Sequence, residues 1–210
     1  MRYNFIAIEG NIGAGKTSLA TMISKDYNAH LILEQFEENS FLPKFYKEPE
    51  KYAFPLEMSF MAARYQQLKD QLLSMDLFKT FTISDYFIVK SLIFAKKNLP
   101  PDEFKLYATF FNIIYQQLPK PELLVYLYVE TERLQSNIKM RGRPYEQNIQ
   151  DEYLNKIQEG YLEFIRQQKD LRILILDTNK LDFVNSEADY RKIINVMNRD
   201  FDLGVHRIIF

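Results

Sequence analysis

The sequence predicts an α/β protein in which a five-stranded parallel sheet is flanked by helices, and three observations predict it. Apolar, β-rich runs at residues 3–8, 30–33, 81–84, 123–129 and 172–176 are separated by long helical patterns, the alternation that builds a parallel sheet covered by helices. The first run leads into Gly10-Asn11-Ile12-Gly13-Ala14-Gly15-Lys16-Thr17, which satisfies G-x-x-x-x-G-K-[ST] at every fixed position, the pattern of a phosphate-binding loop. The chain of 210 residues is 47% hydrophobic and 15% aromatic, with no repeat, low-complexity tract or Gly/Ser linker. It therefore reads as a single domain, 1–210, around one sizeable core.

In the loop, glycines let backbone N–H groups turn inward at a helix N-terminus and form an anion-binding cradle. Lys16 reaches the β- and γ-phosphates, Thr17 offers its hydroxyl to Mg²⁺, and Gly10, Asn11, Ile12, Gly13, Ala14, Gly15 and Ser18 complete the nucleotide site. Leu19, Ala20, Met22 and Ile23 continue as an amphipathic helix, so the strand–loop–helix context is present on both sides. A glycine-rich turn that binds nothing is the bland alternative, and motif and context together count against it.

The second strand ends at Glu34. In phosphate-loop sheets the carboxyl ends of strands face the nucleotide crevice, so Glu34 stands where a carboxylate takes a proton from an attacking hydroxyl; the alternative is a solvated strand-end glutamate. Met58, Met61, Tyr65, Leu68, Leu72 and Met75 recur at spacings of three and four, predicting one long helix over 55–76 with Pro55 near its first turn. Glu57, Phe60 and Arg64 put an acid, an aromatic and a base along one side of it, which is also what an ordinary salt-bridged face looks like. Asp85 follows the third strand, where it either holds Mg²⁺ or caps the next helix. Phe104, Tyr107, Phe111, Ile114 and Leu118 predict a helix stopped by Pro119, while Leu154, Ile157, Tyr161, Phe164 and Ile165 mark another and 184–199 the last. Segment 200–210 ends apolar, which suits either a further strand or a free end.

Lys139-Met140-Arg141-Gly142-Arg143-Pro144-Tyr145-Glu146-Gln147 sets two arginines around a glycine after a helix that begins near Thr131. In phosphoryl transfer, charge spreads over the equatorial oxygens, and guanidinium groups swinging in as a lid, here at 139–149, neutralise it and exclude water. That favours a kinase over a GTPase. Asn179-Lys180-Leu181-Asp182 does fit the guanine-reading N-K-x-D letters, but the chain has Asp85-Tyr86-Phe87-Ile88 where a GTPase carries D-x-x-G.

Composition narrows the class further. The balance of 27 basic and 28 acidic residues, net −1, shows no basic block and argues against nucleic-acid or anionic-membrane binding. With no cysteine and two histidines, disulfides, thiol nucleophiles and structural zinc are not expected. No apolar run approaches the ~20 residues that span a bilayer, and the N-terminus is a strand of the fold rather than a secretory signal. A cytoplasmic protein is expected, and the apolar stripes of two long helices suggest a homodimer.

Together these residues resemble the deoxynucleoside kinase family, which contains deoxycytidine, deoxyguanosine and deoxyadenosine kinases, and are most similar to its bacterial purine-directed members. The resemblance runs from the phosphate loop to the end of the chain. Its most specific piece is Arg141-Gly142-Arg143-x-x-Glu146-Gln147-x-Ile149 followed by Tyr153-Leu154-x-Lys156-Ile157. The resemblance implies a three-layer P-loop kinase fold with an arginine-bearing lid, using ATP and Mg²⁺. It implies Glu34 as general base on the 5′-hydroxyl, with Lys16, Arg141 and Arg143 as catalytic cations and Thr17 and Asp85 toward the metal. Tyr46, in Tyr46-Lys47-Glu48-Pro49-Glu50-Lys51-Tyr52, and Glu146 hold the 3′-hydroxyl; Arg64 lies beneath the base, Phe94 stacks on it, and Glu57, Phe60 and Asp85 complete the substrate site. Asp182 and Phe183 lie against the donor adenine.

Three positions depart from the family pattern. Tyr86 stands where an arginine is expected near the phosphates, Glu57 where a glutamine reads the base, and Asn137 where an arginine lies against the adenine. The expected function is phosphoryl transfer from ATP, with Mg²⁺, to the 5′-hydroxyl of a deoxynucleoside, a purine, in nucleotide salvage. A non-catalytic family member and a nucleoside monophosphate kinase are the alternatives. Intact Lys16, Glu34, Arg141 and Arg143 oppose the first, and Glu57 beside Arg64 offers little to an acceptor phosphate.

Overall fold

The computed structural model describes residues 1–35, 39–73 and 78–210. Strands β1 (Phe5–Gly10), β2 (His30–Ile32), β3 (Thr82–Ser84), β4 (Leu123–Tyr128), β5 (Arg172–Asp177) and β6 (Gly204–Ile209) form one sheet in the order β2-β3-β1-β4-β5-β6, and every neighbouring pair is parallel. Helices α1 (Lys16–Tyr27), α2 (Leu42–Phe45), α3 (Pro49–Leu73), α4 (Val89–Asn98), α5 (Pro101–Tyr115), α6 (Thr131–Arg141), α7 (Asp151–Gln167) and α8 (Glu187–Met197) connect them, with a 3₁₀ turn at Pro144–Glu146.

The three layers follow from the two-residue period of a strand. On β1, Ile6 and Ile8 join the core under α1, α6 and α8, while Phe5 and Ala7 join the core under α3, α4, α5 and α7. On β4, Val125 and Leu127 face the first layer and Leu124 and Tyr126 the second. A central strand that feeds two cores reads as a continuous apolar run, which is why β1 and β4 are plain in the sequence.

Two expectations need correction. The sheet has six strands rather than five, because β6 pairs with β5 from Arg172↔Gly204 to Asp177↔Ile209. As an edge strand it is half-buried on alternate residues only, and Gly204-Val205-His206-Arg207-Ile208-Ile209 does not alternate apolar with polar, so the pattern is masked. The long helix starts at Pro49, six residues before Pro55, which lies inside it. Pro49 supplies the helix-starting proline, and the helix tolerates the hydrogen bond that Pro55 cannot donate. Met75 and Asp76, at the expected end of this helix, lie outside the described residues. Among the described residues, no helix is long and apolar enough to cross a membrane.

Candidate active site

The carboxyl ends of the parallel strands lie along one edge of the sheet, and the loop after β1, a central strand, opens there. Gly13 (φ 82°) and Gly15 (φ 87°) hold left-handed conformations that side chains disfavour. A Cβ on Gly15 would stand 2.8 Å from the Phe183 ring, so the absence of a side chain lets Phe183 pack on the loop. Asn11 is buried beneath the loop, its amide nitrogen donating to the Leu154 carbonyl of α7 at 2.8 Å. Gly10 ends β1 against the backbone of Leu127. The Lys16 ammonium donates to the Asn11 carbonyl at 2.8 Å. Burial, then the Lys90 charge, lower its pKa to about 8.

On the acceptor side, Glu34 is not a solvated strand-end residue. Its Oε1 accepts from Arg64 Nε at 2.8 Å and Nη2 at 2.5 Å, and its Oε2 accepts from Lys90 Nζ at 2.5 Å. Burial opposes its ionisation, but Lys90 and Arg64 outweigh burial and hold the carboxyl well below the usual carboxylate range. Such a carboxylate is charged at neutral pH. Asp85 is not a helix cap, since α4 begins four residues later. Its Oδ1 accepts from the Glu34 backbone N–H at 2.8 Å and its Oδ2 from Thr17 Oγ1 at 2.5 Å. That adjacent pair of hard oxygen donors suits Mg²⁺ with most of its own waters retained.

These groups line one cleft, with Ile12, Tyr46, Glu57, Phe60, Phe94, Arg143 and Glu146 around it. Arg64 lies over the Phe60 ring at 4.7 Å and is fixed by donating to Ser91 Oγ at 2.7 Å. Its ion pair among the described residues is with Glu34 rather than Glu57. Glu57 Oε1 instead accepts from Asn98 Nδ2 at 2.7 Å. Burial raises the Glu57 pKa to about 7, against the opposing pull of Asn98, Arg64 and Lys90.

The lid segment follows α6, which ends on Gly142 in a left-handed C-cap (φ 73°). That turn folds the chain back so that Arg141 and Arg143 both pair with the buried carboxylate of Glu146. Tyr46 stacks on Tyr145 with centroids 6.1 Å apart, and burial followed by the Glu146 charge raises its pKa. A second cleft on the other side of the loop is lined by Gly13, Ala14, Gly15 and Ser18, with Arg141, Asp182 and Phe183 opposite.

Sequence reasoning missed Lys90, Asn98 and Tyr153, which line the acceptor cleft, and Glu9, whose buried carboxylate accepts from the Phe87 N–H at 2.7 Å and the Tyr161 hydroxyl at 2.8 Å. A polar residue inside the apolar run 81–95 was the available signal for Lys90. Tyr86 is fully buried and donates to Gln67 at 2.6 Å. Asn137 donates to the Gly13 carbonyl at 2.8 Å. The Asn179–Asp182 letters serve the chain itself: Asn179 accepts from the Glu130 N–H and donates to Asp177, both at 2.8 Å.

A family model described as "Deoxynucleoside kinase" matches residues 6–201. The chain is 38% identical over 196 residues to a deoxyguanosine kinase of Bacillus subtilis, covering 90% of this chain and 93% of that protein. It is 31% identical over 187 residues to a deoxyadenosine kinase of Dictyostelium discoideum, covering 87% and 74%. A solved deoxyadenosine kinase of M. mycoides with bound dATP superposes with a TM-score of 0.80 at 29% identity, over 93% of this chain and 99% of that one. The strand–loop–helix centre, the lid and a match over nearly the whole chain make this protein a member of the deoxynucleoside kinase family, a phosphotransferase.

Proposed function

We propose that the chain transfers the γ-phosphoryl group of ATP to the 5′-hydroxyl of a purine deoxynucleoside, preferring deoxyguanosine. The observation that carries this reading is Glu34, a carboxylate held ionised by two cations in the same cleft as Lys16 and Arg143. The acceptor's 5′-hydroxyl proton passes to Glu34 as the 5′-oxygen bonds to phosphorus and the bond to the leaving ADP oxygen breaks. Lys16 and the loop amides hold the β- and γ-phosphates, and Arg141 and Arg143 exchange Glu146 for the transferring group as the lid closes. Mg²⁺, held by Thr17 and Asp85, would neutralise charge on the same phosphates. Asp182 and Phe183 bound the adenine of the donor.

Purine preference is supported by the deoxyguanosine and deoxyadenosine kinases to which the chain is similar. Glu57 favours guanine, whose N1–H and 2-amino group are adjacent donors that a carboxylate meets with two charge-assisted hydrogen bonds. A homodimer is supported by Leu106, Phe110 and Ile113, an exposed apolar stripe along α5. A single domain in the cytoplasm, with no nucleic-acid or membrane partner, completes the reading. Turnover of the four deoxynucleosides and of their monophosphates with Mg·ATP tests it: the nucleosides react, and phosphorylation of monophosphates alone overturns it.

Tyr46, half-buried, and Glu146, buried, both line the cleft and are assigned to the sugar 3′-hydroxyl. A 2′,3′-dideoxynucleoside leaves that polar pair without its partner, at about 1–3 kcal/mol or ~5–150-fold in kcat/KM. Equal kcat/KM for the two substrates removes both residues from the sugar site. Glu146→Ala lowers kcat as well as affinity, because the lid loses the group that positions its arginines.

A further inference from the structure

The acceptor end of the site contains a cation that the sequence pattern does not assign. Lys90 lies in the first turn of α4, four residues after Tyr86 in sequence, and is nearly buried. Its ammonium is 2.5 Å from Glu34 Oε2 and 5.5 Å from the centre of the Phe94 ring. It lines the same cleft as Lys16, Thr17 and Arg143, and its charge is felt by Glu9, Lys16 and Glu57. The position where an arginine is expected beside the phosphates is filled by Tyr86, which is turned into the core toward Gln67. Tyr86 brings no charge to the cleft, whereas Lys90, four residues on, lines it.

Arg64 and Lys90 hold Glu34 differently. Arg64 makes two bonds to Oε1 and is anchored by Ser91, whereas Lys90 meets Oε2 with a single flexible ammonium. During transfer Glu34 takes the hydroxyl proton and loses its charge, while a phosphate dianion appears on the 5′-oxygen a few bonds away. The residue free to follow the charge is Lys90.

Resting on the kinase reading above, we propose that Lys90 is a further catalytic residue, which orients Glu34 before transfer and pairs with the 5′-phosphate as it forms, in place of the arginine absent at Tyr86. The step needs no reactant beyond ATP and the nucleoside: one phosphorus–oxygen bond forms, one breaks, and one proton moves to Glu34.

The test compares wild type, Lys90→Met and Lys90→Arg by turnover with Mg·ATP and by equilibrium binding of deoxyguanosine and of its 5′-monophosphate. Lys90→Met is expected to lower kcat by ~10²–10³-fold, the cost of losing one preorganised electrostatic contact. It should keep deoxyguanosine affinity within about threefold while weakening the monophosphate at least about tenfold, as a charge-assisted contact implies. Lys90→Arg should restore most of both. Near-wild-type kcat in Lys90→Met, or equal weakening of nucleoside and monophosphate, overturns the proposal. If Lys90→Met does not fold, Lys90→Gln is read in the same way. A wild type without turnover refutes the kinase reading, and the monophosphate binding arm still decides the phosphate contact of Lys90.

Discussion

Glu34→Gln is expected to lower kcat by ~10²–10⁴-fold while ATP affinity is kept, the usual contribution of a positioned general base. Glutamine keeps an oxygen for Arg64 or Lys90 but not for both, has no charge and takes no proton. The substitution also leaves two buried cations without their carboxylate, and breaking a buried ion pair costs ~3–5 kcal/mol, so Tm is expected to fall too. Activity per folded molecule, with near-UV circular dichroism as the measure of folding, separates the two effects. Lys16→Ala is expected to lose turnover through the donor instead, with ATP binding weakened and nucleoside binding kept. Glu34→Gln with near-wild-type turnover means that the end of β2 is not the reacting end of the site.

The second large effect concerns Glu57. Its folded pKa of about 7 lies above the ordinary glutamate value of 4.5, chiefly because it is buried. Between these values the folded chain holds a proton that the unfolded chain has released, so stability of the ligand-free protein falls as pH rises from about 4.5 to about 7. At ~1.4 kcal/mol per pH unit the loss amounts to ~3 kcal/mol. Glu57→Gln removes this cost and keeps an acceptor for Asn98. Its Tm is expected to exceed wild type at pH 8 and to converge with it near pH 4.5. In turnover, the same substitution exchanges an acceptor-only group for one that also donates. The ratio of kcat/KM for deoxyguanosine over deoxyadenosine should therefore drop by ~10-fold or more. An unmoved ratio assigns base choice to Phe60, Arg64 and Phe94.

Local patterns made most of this architecture legible. The loop, the lid and the five strands were marked by fixed spacings or by runs buried on two faces. Glu34 and Asp85 were singled out because strand ends face the crevice in such sheets, and both line the cleft. What stayed hidden depended on long-range pairing. The sequence offered Glu57, on the same helix, as the partner of Arg64; Glu34, 30 positions away, holds it instead. Lys90 and Asn98 sit at the two ends of α4, and only the packing of that helix against α3 brings them to the cleft. β6 was hidden by its edge position, and the start of α3 because Pro55 is the more conspicuous of two prolines.

The central claim is phosphorylation of a purine deoxynucleoside at a site tuned for guanine, and a direct competition tests it. Equimolar deoxyguanosine and deoxyadenosine are incubated with limiting Mg·ATP at pH 8, where Glu57 is ionised, and the 5′-monophosphates are separated and weighed against each other. The account predicts deoxyguanosine 5′-monophosphate in excess by ~10-fold or more, two charge-assisted hydrogen bonds against one. An excess of deoxyadenosine 5′-monophosphate contradicts the role of Glu57, and the absence of both monophosphates contradicts the kinase reading itself.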